Sequence, residues 1–147
     1  MIIVERVTSP ENVSLSDINE LLPQLHTATA NPGDLLGTQT DLDTITSDKD
    51  IIFVVAKDEA KVIGMAAGYL IVKFGKKIGY IEEVVVSEAY RGQGIGRKLL
   101  ELIIEEARKA RTKQLYLTSR DGRAAANSLY QKLGFEKRET NNYRLKF

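Results

Sequence analysis

Apolar residues in this chain recur at two periods, and the switches between them mark out the elements. Ile2 to Val7 reads as a short strand ended by Thr8-Ser9-Pro10. From there Leu15, Ile18, Leu21, Leu22 and Leu25 fall at helical spacing, with Ser14 or Ser16 as cap and Pro23 expected to kink or split the helix. Asn31-Pro32-Gly33 breaks the chain, and a second helix is expected over Thr40 to Ser47. Ile51 to Lys57 and Lys61 to Val72 read as strands around a turn at Asp58-Glu59, and a turn at Gly75 leads to another strand, Ile78 to Val86. The next helix, Ile95 to about Ala110, buries Ile95, Leu99, Leu102, Ile103 and Ala107, and turns Arg97, Lys98, Glu101, Glu105, Arg108 and Lys109 to water. A strand over Gln114 to Thr118 follows, then a helix from about Arg123 to Leu133 stopped by Gly134, then a hairpin of Phe135 to Arg138 with Tyr143 to Phe147. The order β-α-α-β-β-β-α-β-α-β-β, without internal repeat or low-complexity segment, predicts one mixed α/β layer over residues 1–147.

The segment between the fourth strand and its helix is the most informative. Arg91-Gly92-Gln93-Gly94-Ile95-Gly96 has glycine at three of six positions, so the backbone can curl until successive N–H groups point at one place. The first turn of the following helix adds unpaired N–H groups and about half a positive charge, an arrangement that suits a phosphate. The spacing is G-x-G-x-G rather than the G-x-G-x-x-G of a dinucleotide fold, and Lys113-Gln114-Leu115-Tyr116, some twenty positions on, holds no carboxylate for a ribose. Gly96 is followed by Arg97-Lys98-Leu99 and not by Lys-Ser or Lys-Thr, so a nucleotide-hydrolysing loop is disfavoured. A pyrophosphate held by backbone amides with Arg91, Arg97 and Lys98 nearby, and no metal, is what remains.

Composition narrows the partners. Twenty-one basic and twenty acidic residues give a net charge of +1, which offers no general field for nucleic acid or an anionic membrane. The chain has no cysteine, so disulfides, thiolate metal sites and a cysteine acyl carrier are excluded, and a reducing, cytoplasmic setting is expected. The opening MIIVERVTSP meets charge at Glu5, too early for a signal peptide or membrane span.

The Arg-x-x-Gly-x-Gly string at 91 to 96, preceded by IEEVVV and followed by a Leu-Leu helix, resembles the acyl-CoA loop of the GNAT superfamily of N-acetyltransferases. Ala126-Asn127-x-x-Tyr130-x-Lys132-x-Gly134-Phe135 resembles the helix and strand start that end that fold, at the separation the family uses. The resemblance implies a mostly antiparallel central sheet of about six to seven strands with about four helices on its faces. It also implies acetyl-CoA as cosubstrate, bound through Val84, Val85, Val86, Arg91, Gly92, Gln93, Gly94, Ile95, Gly96, Arg97, Lys98, Asn127 and Tyr130. In the family the pantetheine arm pairs along the strand at Val84 to Val86, in a gap opened toward the 114 to 118 strand, and an amide of Val84 or Val85 meets the thioester oxygen. Tyr130 takes the position of a tyrosine near the sulfur, with Asn127 one turn earlier for the pantetheine amides.

An alkyl amine is protonated near neutral pH, so a carboxylate must take its proton before attack, and Glu82 and Glu83 are the candidates. Strand alternation sets Glu82 with Tyr80, Val84 and Val86 on one face and Glu83 on the other, so one at most reaches an acceptor unless a bulge changes the parity. Relatives that acetylate amino sugars favour Glu82. Each has a competing reading as a solvated ion-pair residue, and Tyr130 has one as part of the apolar stripe Ala126, Leu129, Tyr130, Leu133. His26 reads as a surface or packing residue, while Ser119, Arg120 and Arg123 are candidates for an acidic acceptor or a CoA phosphate. Arg138, Asn141, Tyr143 and Arg144 resemble a tail of bacterial relatives and have no assigned role. The expected activity is acetyl transfer from acetyl-CoA to a primary amine, on a small molecule or a protein, by direct attack. Oligomeric state, including a homodimer, is left open. The alternatives are an acyl-CoA-binding module without turnover and a nucleotide-binding protein.

Overall fold

A computed structural model describes residues 1–25 and 36–147. His26 and the Asn31-Pro32-Gly33 break lie outside the described residues. The chain groups into two compact units, Met1–Leu117 and Thr118–Phe147.

In the first unit, β1 (Ile2–Arg6), β2 (Ile51–Asp58), β3 (Lys61–Lys73), β4 (Lys76–Val86) and β5 (Gln114–Tyr116) form one sheet in sequential order. The first four strands pair antiparallel, and β4 pairs β5 in parallel. A helix α1 (Leu15–Leu25) packs on β3 and β4, α2 (Gln39–Ser47) packs on β2, and α3 (Ile95–Lys109) crosses β1 to β4. Alternate side chains of the sheet divide between these helices. Phe53, Val55, Met65, Ala67 and Val85 join Ile18, Leu21, Leu22 and Leu42 in one core cluster. The residues between them face α3, where Gly68 stands so close that a Cβ would lie 3.0 Å from Ile103 Cγ2. Burial on both faces is why β2 and β3 read as near-continuous apolar runs rather than as alternation.

The helices follow local chemistry. Ser14 opens α1, its carbonyl accepting from Ile18 N–H at 3.2 Å, and the helix is not split: it runs unbroken over the described residues Leu15–Leu25 with Pro23 inside it, so the expected break at Pro23 does not occur. Thr38 starts α2 earlier than the apolar pattern indicates, through a capping box in which Thr38 Oγ1 accepts from Asp41 N–H at 3.1 Å and Asp41 Oδ2 accepts from Thr38 N–H at 2.8 Å. The expected apolar face of α3 is corrected at one position. Leu100 is fully buried and Leu102 only partly, because a helix spanning four strands is covered over a wider arc than one stripe. Glu106 is also drawn in, its Oε2 accepting from Arg6 Nη1 of β1 at 2.7 Å.

In the second unit, α4 (Ala124–Lys132) forms as expected, with Gly134 just beyond it at φ 97. The terminal hairpin does not form. Tyr143, Leu145 and Phe147 are 87%, 79% and 115% exposed, so strand pairing would lack the burial that stabilises it. Among the described residues the sheet therefore has five strands instead of six or seven, and β5 stops at Tyr116 instead of Thr118. No helix among the described residues is long and apolar enough to cross a membrane.

Candidate functional site

Strand β4 builds the site by failing to stay regular. Opposite β3 its register runs Gly64 to Val86 and Met65 to Val85, then Ala67 to Glu82, so Glu83 and Val84 together face the single residue Ala66. This is a β-bulge, and Glu83 takes a left-handed φ of 60 in it. The extra residue changes the parity expected of a plain strand. Glu82, across from Ala67, falls on the α1 and α2 face, and Glu83 is turned to the same face, where its Oε2 accepts from Tyr69 O–H at 2.9 Å. Val86 goes to the α3 face, beside Gly64 and Gly96.

The two carboxylates differ in surroundings. Glu83 lines a cleft of about 360 Å³, open to solvent on one side and bordered by α1, α2, residues 36–38 and the sheet. Glu82 does not line it and is largely exposed. The Glu82 carboxyl is held above its ordinary range, first by partial loss of water and then by repulsion from Glu83. Burial, followed by the charge and hydrogen bond of Glu83, pushes the Tyr69 phenol well up, so it remains a donor to Glu83.

Beyond Tyr80 the sheet opens. β4 and β5 pair only at Ile78 to Gln114, Gly79 to Leu115 and Tyr80 to Tyr116, and the Tyr80 and Tyr116 rings stack at 5.4 Å on the last rung. Ile81 to Val86 has β3 on one edge and no strand on the other among the described residues. Gly79 sits close under its neighbours at the crossing: a Cβ there would lie 2.8 Å from Leu115 Cδ2 and 2.9 Å from Leu70 Cδ2, so those side chains would have to shift.

From the end of β4 the chain passes a 3₁₀ turn at Glu88–Tyr90 into the glycine loop. Gly92 and Gly94 have φ of 80 and 77, a region that side chains disfavour, and nothing stands within 4 Å of where a Cβ would be. Gly94 is the N-cap of α3 and has no side chain to satisfy the first-turn N–H groups. The cations around the loop are not equally available. Arg91 donates through Nε to the Val86 carbonyl at 3.0 Å and through Nη2 to Gln24 Oε1 at 3.4 Å, which ties strand, loop and α1 together. Arg97 donates to Glu101 at 2.8 Å. Lys98 is exposed and, among the described residues, forms no ion pair. Gln93 and Ile95 complete the loop, with Ile95 buried as the first residue of α3.

In the second unit Tyr130 is 8% exposed and meets Phe135 edge to face at 6.3 Å. Burial raises its phenol above the ordinary value against an opposing pull from Arg123, so it stays protonated through the neutral range. Asn127 donates from Nδ2 to the Arg120 carbonyl at 2.9 Å, which fixes the loop before α4 and leaves its carbonyl oxygen for another donor. Ser119 Oγ is buried with no hydrogen-bond partner. The residues 135–147, including Arg138, Asn141, Tyr143 and Arg144, form neither helix nor strand. No cluster of three or more metal-ligating side chains occurs among the described residues.

Sequence reasoning missed Tyr69 as the partner of Glu83, and it missed the cavity. The residues that line the cavity come from α1, α2, residues 36–38 and three strands of the sheet, where Leu, Ile, Phe and Met at core spacing give no sign that they border a space rather than a neighbour.

Comparison with known proteins finds relatives in sequence and in fold. An IAA acetyltransferase of Azospirillum brasilense is 33% identical over 124 residues, 84% of this chain and 75% of that protein. A glucosamine 6-phosphate N-acetyltransferase of Trypanosoma brucei brucei is 34% identical over 82 residues, so the match spans 54% of this chain and about half (54%) of that relative's length. Among solved structures, a Trypanosoma brucei acetyltransferase superposes with a TM-score of 0.76 at 26% identity, covering 100% of both chains. A putative acetyltransferase from Agrobacterium tumefaciens reaches a TM-score of 0.80 at 21% identity over 98% of this chain and 99% of its own, which speaks to the fold alone. The model of the acetyltransferase (GNAT) family matches residues 18–135, across both units, and the chain belongs to that family.

Proposed function

We propose that the protein moves an acetyl group from acetyl-CoA to a primary amine by direct attack in a ternary complex. The observation that carries this reading is the open glycine turn. Gly92 and Gly94 leave free the space that a Cβ would fill, directly before the unsatisfied amides of a fifteen-residue helix, and this suits a diphosphate. Acetyl-CoA, when bound there, supplies the acyl group as a thioester.

The residues of the chain then have distinct tasks. Amides from Gly92 to Arg97 hold the diphosphate, that of Lys98 being taken by the Gly94 carbonyl at 3.2 Å, and the Lys98 side chain is the nearby cation that no carboxylate occupies. The Val84 to Val86 edge pairs the pantetheine amides as an added strand, and an amide of Val84 or Val85 stabilises the charge that develops on the thioester oxygen. Glu83 accepts a proton from the acceptor ammonium, directly or through one water, and Tyr69 holds that carboxylate in place. The free amine forms the new C–N bond and the C–S bond breaks; Tyr130 gives its phenolic proton to the departing thiolate, and the surplus proton on the newly bonded nitrogen restores the phenol, directly or through water. Tyr130 enters the reading through the family motif and its retained proton.

The test is thiol release from acetyl-CoA with a panel of amines, run beside calorimetric titration of CoA. Glu83→Gln is expected to lower kcat by about 100-fold or more, and Tyr130→Phe by about tenfold, with CoA affinity within about threefold of the parent. Turnover unchanged in both variants would remove these roles. Binding of CoA without turnover of any amine would leave an acyl-CoA-binding module.

A further inference from the structure

The cavity at Glu83 has a one-sided lining. Leu15, Ile18 and Leu22 of α1 face Leu42 and Ile45 of α2 across it, and Phe53 and Met65 of the sheet form its floor. Its charged members are Glu83 and Asp41, and no lysine or arginine lines it among the described residues. Asp41 is kept ionised, its carboxyl lowered first by the backbone and then by the side-chain hydrogen bond with Thr38.

We infer that the acceptor is a small amine with an apolar body, of the phenylalkylamine or alkylamine type, its nitrogen at Glu83 and its hydrocarbon part in this cavity. The inference rests on the acetyltransferase reading and adds the class of acceptor. Size sets one bound. An apolar cavity of about 150 Å³ takes up benzene, so about 360 Å³ accommodates an amine of roughly a dozen non-hydrogen atoms. Charge sets the other. A phosphorylated amino sugar would bring its anion toward two carboxylates with no cation among the described lining residues to receive it, and beyond Thr38 and Thr44 its hydroxyls would meet apolar side chains that cannot replace their water. A cationic amine with a hydrocarbon tail meets neither cost. Each methylene so buried changes specificity by roughly 10-fold to 200-fold, enough for the cavity to select among amines.

The experiment compares initial rates of thiol release for phenethylamine, hexylamine, glucosamine, glucosamine 6-phosphate and an alanine-terminated peptide, and titrates phenethylamine into the protein by calorimetry. The kcat/KM for phenethylamine or hexylamine is expected to exceed that for glucosamine 6-phosphate by at least about tenfold. Leu36 borders the cavity and is 50% exposed, so Leu36→Arg alters the lining without removing core. That variant should raise the phenethylamine KM at least about fivefold and leave the KM for acetyl-CoA in place. Preference for either sugar or for the peptide would overturn the inference and leave the transferase reading intact. Heat of phenethylamine binding that Leu36→Arg abolishes, in a protein that turns over no amine, would support the cavity assignment and count against the transferase reading. Neither turnover nor binding of the apolar amines would overturn the inference.

Discussion

Position 94 combines two features that suit glycine: a φ of 77 and open space where a Cβ would stand, the space the proposed phosphate would use. Gly94→Val forces a β-branched residue into a left-handed conformation, expected to cost about 1–2 kcal/mol by thermal unfolding, and fills the cradle, expected to weaken CoA at least about tenfold by calorimetry. This position was legible in the sequence because glycine spacing is itself the signal. The carboxylates were legible only as a pair. Which one enters the cavity depends on Glu83 taking φ 60 inside a bulge, and a non-glycine residue in that conformation leaves no trace in composition or period. The preference for Glu82 came from likeness to amino-sugar enzymes, while the cavity geometry favours Glu83.

Among the elements, those with long periodic faces were readable and those with little to bury were not. β2, β3, β4 and α3 follow the apolar pattern closely, since each packs against a neighbour along its whole length. The Tyr143 to Phe147 segment alternates like a strand but buries none of its aromatic and apolar side chains, and pattern without a partner is not structure. Glu106 shows the converse, a charged residue on an otherwise solvated face that joins α3 to β1 through Arg6. Its carboxyl is held below the ordinary range by the hydrogen bond from Arg6 first and from Lys109 second. A lowered folded-state pKa contributes stability above the unfolded value near 4.5 that is lost as pH falls through the folded value. Glu106→Gln should therefore cost about 1–2 kcal/mol in urea unfolding at pH 7, and the gap to the parent should close below about pH 4.

For the whole molecule, a net charge of +1 offers no long-range field to gather a polyanion such as the proposed cosubstrate. Two of the three cations at the loop are already engaged, Arg91 with Val86 and Gln24 and Arg97 with Glu101, so under the proposed function backbone amides and Lys98 would do most of the holding. Raising NaCl from about 50 to about 500 mM is accordingly expected to weaken CoA by less than about tenfold in a calorimetric titration, where a site built on several free cations would lose far more. The parting of β4 from β5 after Tyr80 reaches furthest. A sheet interrupted on one side invites any extended backbone to complete it, and in this reading the invited guest is the cosubstrate's own arm. Occupancy and architecture then become one variable: starved of the donor, the protein keeps an adhesive seam along Ile81 to Val86, and a well-fed pool of the metabolite acts as its chaperone.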